Sequence, residues 1–168
     1  MASFCDTHHF IKNVFLSHIV RLFTWSVGVQ KIRSKAVCLF RNNNKILLAE
    51  GYDPIKDEHY VLPLGGGIEF GESSQAAAER EVLEEISAAT QGFSLLGVSE
   101  NIFSYNGKPG HEIVFVYEAR FQDESLYQQD IIHGIETNGV PIVTRWFDID
   151  LLRSGKINFY PHGIVDMI

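Results

Sequence analysis

Cysteine is almost absent from this sequence: Cys5 and Cys38 are the only two, and they lie far apart. That excludes a disulfide framework and a cysteine-rich zinc site, and it favours a reducing, cytoplasmic setting. Also missing is any uninterrupted apolar run able to cross a bilayer. The most apolar stretch, Phe10 to Val29, is broken by Lys12, His18 and Arg21 and is followed by no small-residue cleavage pattern. Neither a membrane span nor a signal peptide is expected from it. Phe15, Ile19, Leu22 and Phe23 recur there at three- and four-residue steps, the spacing of an amphipathic helix packed on the core or on a second copy of the chain in a homodimer. Bases are in short supply too, 14 Lys and Arg against 21 Asp and Glu, for a net charge of −7. A chain so charged does not coat nucleic acid. Internal repeats, linkers and low-complexity tracts are lacking as well. With 168 residues, 45% of them hydrophobic, the chain can bury one sizeable core and is too short for two ordinary domains.

What is present is unevenly spread. Between Asp57 and Gly107 stand nine acids and a single base, Arg80, while the rest of the chain is close to neutral. The acidic excess therefore belongs to one region, as either a cation site or a solvated acidic face. Residue placement has to decide between them.

Residues 35–41 and 45–50 are short apolar runs joined by Asn42-Asn43-Asn44, which predicts a β-hairpin. A loop with Gly51, Asp53 and Pro54 leads to a short strand near Tyr60 to Pro63 and then to a glycine loop, Gly65-Gly66-Gly67. Ser73 or Ser74 is placed to cap a helix running to about Ser87, rich in Ala, Glu and Leu. Segments 94–105 and 111–120 flank the turn Asn106-Gly107-Lys108-Pro109-Gly110 and predict a second hairpin. Residues 122–138 read as a long polar loop, Pro141 to Phe147 as a last strand, and Asp150 to Arg153 as a short closing helix. Strands around one clear helix imply a layered α/β or α+β sandwich.

On that helix, at 100° per residue, Glu81, Glu84 and Glu85 share one arc, while Ala78, Val82, Leu83 and Ile86 point elsewhere. Like charges at i,i+4 cost a helix roughly 0.2–0.5 kcal/mol per pair, and no base is expected at a spacing that offsets them. A divalent cation would offset them. Hard cations take oxygen ligands and commonly sit between carboxylates and substrate phosphates. Glycines before a helix let backbone approach a ligand closely, and the helix N-terminus favours anions. The set suits a metal that bridges carboxylates to a diphosphate and assists attack by water at phosphorus.

The pattern Gly66, five residues, Glu72, seven residues, Arg80-Glu81-Val82, one residue, Glu84-Glu85 resembles the Nudix box. Six fixed positions at typical residue frequencies would match by chance in roughly 10⁻⁵ of chains this size, so the resemblance outweighs the solvated-face reading. It implies a Nudix-type α/β/α sandwich with a mixed β-sheet between helices over residues 33–168, with residues 1–32 outside it as an N-terminal segment. It implies Mg²⁺ or Mn²⁺ held by Glu81, Glu84 and Glu85 with the Gly65 carbonyl, and Arg80 and Glu72 bracing loop against helix. The implied activity is metal-dependent hydrolysis of a diphosphate linkage in a nucleotide-like small molecule. Nucleic acid enters only as capped RNA ends, and membranes do not enter. The alternative is a catalytically silent Nudix-fold module that binds a nucleotide or a partner.

The sequence departs from the family pattern in two places: Ser87 and Ala88 replace a glycine and an aliphatic residue, and Leu64 replaces a proline. Other candidates lie outside the box. Gly66 and Gly67 are expected to approach substrate, and Glu100-Asn101 with Gly110-His111-Glu112 resembles a motif of some Nudix subgroups, which would bring Glu112 to the metal cluster. Lys108 is a candidate phosphate contact. The general base is Glu81 or a loop acid among Glu124, Asp130 and Glu136. Tyr52, Phe103 and Tyr105 are either base-stacking or core residues, with core the commoner role for aromatics on strands.

Overall fold

In a computed structural model, residues 30–136 and 139–168 are described. The helix expected within Phe10 to Val29 lies outside them. Residues Ile32–Ile168 form one compact unit built on two sheets.

The first sheet has the order β5-β1-β7-β6, from β1 (Arg33–Leu39), β5 (Leu64–Gly67), β6 (Thr90–Tyr105) and β7 (Lys108–Phe121). The pair β1–β7 is parallel and the others are antiparallel, so this sheet is mixed. The second sheet runs β2-β3-β9-β8, with β4 on the other edge of β3. Its strands are β2 (Arg41–Asn42), β3 (Lys45–Asp53), β4 (Glu58–Leu62), β8 (Ile131–Ile135) and β9 (Pro141–Asp148). The long helix α1 (Ser74–Ile86) buries Ala77, Ala78, Val82 and Ile86 in one core with Cys38, Phe40, Leu47 and Phe121. On the opposite side the short helix α2 (Ile149–Arg153) and the C-terminal 3-10 turn His162–Met167 close a second core with Ile149, Leu152, Phe159 and Ile164. Helices on both sides of mixed β-structure give the α/β/α sandwich that the sequence implies.

Three local expectations need correction. The first predicted hairpin is only its tip: Arg41 and Asn42 pair with Ile46 and Lys45, whereas β1 pairs with β5 and β7 in the other sheet. The chain changes sheets at Phe40, whose fully buried ring stacks on Phe121 and gives both sheets a shared anchor. The glycine run is a strand rather than a loop, since Gly65, Gly66 and Gly67 pair with Val37, Ala36 and Lys35. The polar stretch 122–138 holds a 3-10 turn, Glu124–Gln128, and strand β8. Ile132 supplies β8 with a buried residue, and its carbonyl takes the hydroxyl of the buried Thr144 at 2.9 Å.

The second hairpin is longer at both ends than its sequence signal, and Asn106 and Gly107 turn it with positive φ. After α2 the chain returns along β4, where Val61 and Asn158 share a backbone hydrogen bond and Tyr160 donates to the Val61 carbonyl. That return sets Tyr160 beside β4. Among the described residues no helix is long and apolar enough to cross a membrane.

Candidate active site

Helix α1 begins where the sequence places it. Ser73 is the N-cap, its hydroxyl accepting from the Ala76 amide at 3.2 Å, and Ser87 is the C-cap in the left-handed conformation, φ 55°. The apolar stripe fixes the helix against β1 and β5, and this turns the glutamate arc toward the glycine strand. Leu83 departs from the expected apolar face and is 53% exposed.

The fit between helix and glycine strand is close. Gly65 has φ +134°, and a Cβ there would lie 2.2 Å from the Ala36 carbonyl oxygen. A Cβ on Gly66 would lie 2.3 Å from the Glu81 carboxyl carbon. The strand must therefore be glycine for β1 to pair with it on one side and the Glu81 carboxylate to seat on the other. Glu85 reaches the same strand and accepts the Gly65 amide hydrogen bond at 3.0 Å.

Arg80 binds both walls. Its Nε and Nη2 donate to Glu72 at 2.9 and 3.1 Å, Nη2 also donates to the Gly67 carbonyl at 3.0 Å, and Nη1 reaches Glu81 at 3.0 Å and Glu84 at 3.1 Å. The fork ties the loop before the helix to the helix itself. It also holds the Glu72 carboxyl below the usual carboxylate range, chiefly through these hydrogen bonds. This corrects the expectation that no base offsets the glutamates, because Arg80 sits four residues before Glu84 and beside Glu81.

Glu85 is the exception. Burial, foremost, and the like charges of Glu81 and Glu136 push its carboxyl up to about 8, against the opposing pull of the Gly65 amide and Lys35. A carboxylate so placed is short of positive charge.

These side chains border a cleft of about 600 Å³, lined by Gly65, Gly66, Gly67, Glu81 and Glu85 with Arg33, Lys35, Tyr60, Tyr105 and Glu136. Strand β8 lies against the end of α1, where a Cβ on Gly134 would lie 2.1 Å from the Glu85 carbonyl oxygen. This packing sets Glu136 at the cleft.

Not every expected residue arrives here. Glu84 is exposed and held by Arg80. Glu112 does not approach the helix glutamates; it is buried on β7 and binds Arg33 at 2.7 Å, Lys35 at 3.9 Å and Asn101 at 3.3 Å, because its register faces the other side of the first sheet. Lys108 is exposed at the hairpin end and lines no cleft among those described. Glu124 and Asp130 are exposed and line none of these clefts either. Arg33 and Lys35 are the cleft residues that sequence reasoning missed. Their alternation on β1 was a usable signal, since both project to the face opposite Ala36 and Cys38.

Among the described residues no group of three or more His, Cys, Asp or Glu side chains is already arranged to hold a metal ion. The donor chemistry nevertheless fits a hard divalent cation. Glu81 and Glu85 present carboxylate oxygens to one cleft, and Glu85 lacks a full counter-charge. The exposed Arg80–Glu84 pair is of the i,i+4 kind worth about 0.3–0.5 kcal/mol, so freeing Glu84 costs little.

The NUDIX domain model matches residues 31–163. A NUDIX hydrolase from Nitrosomonas europaea has a similar fold, with a TM-score of 0.57, 20% identity, and coverage of 82% of this chain and 86% of that one. A NUDIX-family hydrolase from Clostridium perfringens gives a TM-score of 0.56 and 18% identity over 82% of this chain and 93% of the other. A structure described as an ADP compounds hydrolase gives 0.50 and 14%, over 76% of this chain and 63% of that one.

Proposed function

Since the chain belongs to the NUDIX domain family and is a Nudix-type pyrophosphohydrolase, we propose that its substrate is a nucleoside diphosphate joined to another moiety. Enzymes of this family generally use divalent metal ions. Here Glu81, Glu84 and Glu85 would hold Mg²⁺ or Mn²⁺, with the Gly65 carbonyl as a further oxygen donor. When bound, the ion offsets phosphate charge and makes water a better nucleophile.

The chain's own residues do the rest. Arg80 keeps Glu81 at the glycine strand and ties Gly67 to the helix, so it orients the site without touching the reacting phosphorus. Gly66 and Gly67 leave the cleft floor free of side chains, which lets a diphosphate lie close to backbone. Lys35 and Arg33 supply positive charge on the cleft's far side. The proton lost by the attacking water goes to a carboxylate in reach of the cleft. Glu136 is the loop acid that lines it, so the choice of base narrows to Glu81 and Glu136.

The observation that carries this reading is Glu85, a half-buried carboxylate facing Glu81 and Glu136 across a cleft floored by glycine. The structure described as an ADP compounds hydrolase supports the nucleoside diphosphate part by likeness of fold. The test is a panel of nucleotide sugars, dinucleoside polyphosphates, nucleoside triphosphates and capped RNA, each with Mg²⁺, Mn²⁺ or chelator. We expect nucleoside monophosphate release from a nucleoside diphosphate derivative, abolished by chelation. Turnover of triphosphates alone, or turnover indifferent to chelator, would refute the proposal.

A further inference from the structure

Next to the glutamate cleft lies a second cavity, of about 220 Å³, that shares Arg33, Lys35, Tyr60 and Tyr105 with it. Tyr60, Phe103, Tyr105 and Tyr160 line part of it, beside charged groups that include Asp53, Lys56 and Glu58, and these rings are not packed away in the core. Tyr105 is 45% exposed. Tyr60 stands edge-on to Tyr105 and to Tyr160, with centroids 6.4 and 5.7 Å away. Edge-on rings leave ring faces available to a planar guest.

Close backbone seats hold two of the rings. A Cβ on Gly51 would lie 2.4 Å from the Tyr60 ring, and one on Gly110 would lie 2.4 Å from the Phe103 ring. Neither ring could take its place with a side chain there, so the wall is set by β3 and β7 themselves. Strand pairing contributes as well, since Phe103 lies opposite Gly110 in the β6–β7 register and Tyr60 lies opposite Gly51 in β3–β4.

Of the carboxylates that line it, Asp53 is taken up by the Ile55, Lys56 and Asn106 amides and Glu58 by the Tyr160 hydroxyl, and the one beside the two cations is Glu112. Its side chain is 7% exposed, yet it lies among three donors: Arg33 at 2.7 Å, Lys35 at 3.9 Å and the Asn101 amide at 3.3 Å. Burial of a carboxylate is costly unless it is paired and hydrogen-bonded. This one is both, and a carboxylate has about four acceptor sites, enough for a further donor from a ligand. Arg33 and Lys35 stand at the junction of the two spaces, their side chains 61% and 29% exposed.

Running from the glutamates, the order is acidic cleft, two cations, then a ring-lined cavity with a buried acceptor. A nucleotide has the matching order: phosphates toward the metal site, then a planar base that carries N–H donors. We propose that this second cavity receives the nucleobase, which rests on the reading that the diphosphate lies in the glutamate cleft. Arg33 and Lys35 face the phosphate nearest the nucleoside, Glu112 accepts from the base, and Tyr105 stacks on it. Glu112 is thereby a specificity residue, outside the metal site.

The test uses the full chain in chelator, so that no turnover is needed. Calorimetry with AMP, GMP, CMP and UMP is compared with ribose 5-phosphate, which keeps the phosphate and lacks the base. At least one monophosphate should bind on the order of tenfold or more tightly than ribose 5-phosphate, as expected where a ring is stacked. Tyr105→Ala should erase that margin, and Phe103→Leu, whose ring lines the second cavity and not the first, should narrow it while leaving ribose 5-phosphate binding as it was, whereas Lys35→Ala should weaken both probes. Phe103→Leu is the second wall variant, and circular dichroism checks that each variant folds. Equal binding of ribose 5-phosphate and all four monophosphates, or a margin untouched by both wall variants, overturns the assignment, as does binding of none. A base-dependent margin in a protein that turns over no diphosphate linkage would refute the hydrolase substrate reading and leave this cavity assignment standing.

Discussion

Glu85 and Glu112 are both carboxylates largely withdrawn from water, in neighbouring spaces of one domain, and the protein treats them in opposite ways. Glu112 is surrounded by Arg33, Lys35 and Asn101. Glu85 has one backbone amide and the weaker pull of Lys35 against the like charges of Glu81 and Glu136. A compensated buried charge is part of a wall, complete without a ligand. An under-compensated one is unfavourable in the free protein and becomes favourable only when something positive arrives. The difference separates the place where a cation belongs from the place where specificity is built.

The sharpest way to break the comparison is Glu85→Gln. If Glu85 serves the cation, the substitution lowers kcat by on the order of 10²–10³ while the metal-free fold is as stable as before or more so. Steady-state kinetics with thermal melts in chelator separate the two effects. Full activity, or a large loss of stability, would make Glu85 a wall residue like Glu112.

Next in size is the pH response of the metal-free protein. The folded-state pKa of Glu85 lies near 8, above its ordinary value of 4.5. A group raised in this way contributes stability below the unfolded value that is lost as pH rises through the folded one. Melts in chelator should therefore fall between about pH 5 and about pH 8.5, with Glu85→Gln flattening the slope. Added Mg²⁺ should restore stability at the alkaline end, because a ligand that binds only the folded state stabilises it by mass action. Identical slopes for both proteins would remove the charge deficit from the argument.

The other carboxylate gives the mirror experiment. Glu112→Gln leaves Arg33 and Lys35 without their shared anion and should cost about 1 kcal/mol, the charged hydrogen bonds being discounted because Arg33 is more than half exposed. Denaturant melts read it directly. If Glu112→Gln proved neutral while Glu85→Gln destabilised, the assignment of roles would be reversed.

The two spaces also differ in how far they could be read from the chain. The helix side of the glutamate cleft is local: Gly66 to Glu85 fall within one strand, one loop and one helix, so spacing alone conveys their arrangement. The N-cap was legible for the same reason, because Ser73 acts on a neighbour three residues away. The second cavity gathers residues 33, 60, 101, 103–105, 112 and 160, brought together by parallel β1–β7 pairing and by the C-terminal return along β4. Such pairing leaves no periodic trace, which is why Glu112 was expected at the metal and Arg33 and Lys35 were not expected at all. Strand β5 was hidden by its glycines, which signal turns far more often than strands.

The smallest effect concerns the end of the helix that bears Glu85. Ser87, where the family pattern has glycine, adopts φ 55° and donates its amide to the Leu83 carbonyl at 2.9 Å. A left-handed residue with a Cβ carries a penalty of roughly 1–2 kcal/mol, which glycine avoids. Glycine also gives the unfolded chain more freedom, which takes back roughly 0.4–1 kcal/mol. The net expectation for Ser87→Gly is a gain of about 0.5–1 kcal/mol, or roughly 1–4 °C in Tm for a domain of this size. Because the exposed Ser87 side chain is absent from the cleft lining, kcat and KM should stay put. A rise in Tm with unchanged kinetics would place the family glycine in the backbone economy of the helix end. A change in kcat instead would mean that the C-terminal turn sets the Glu85 position, and the cleft would then depend on more than Arg80 and the glycine strand.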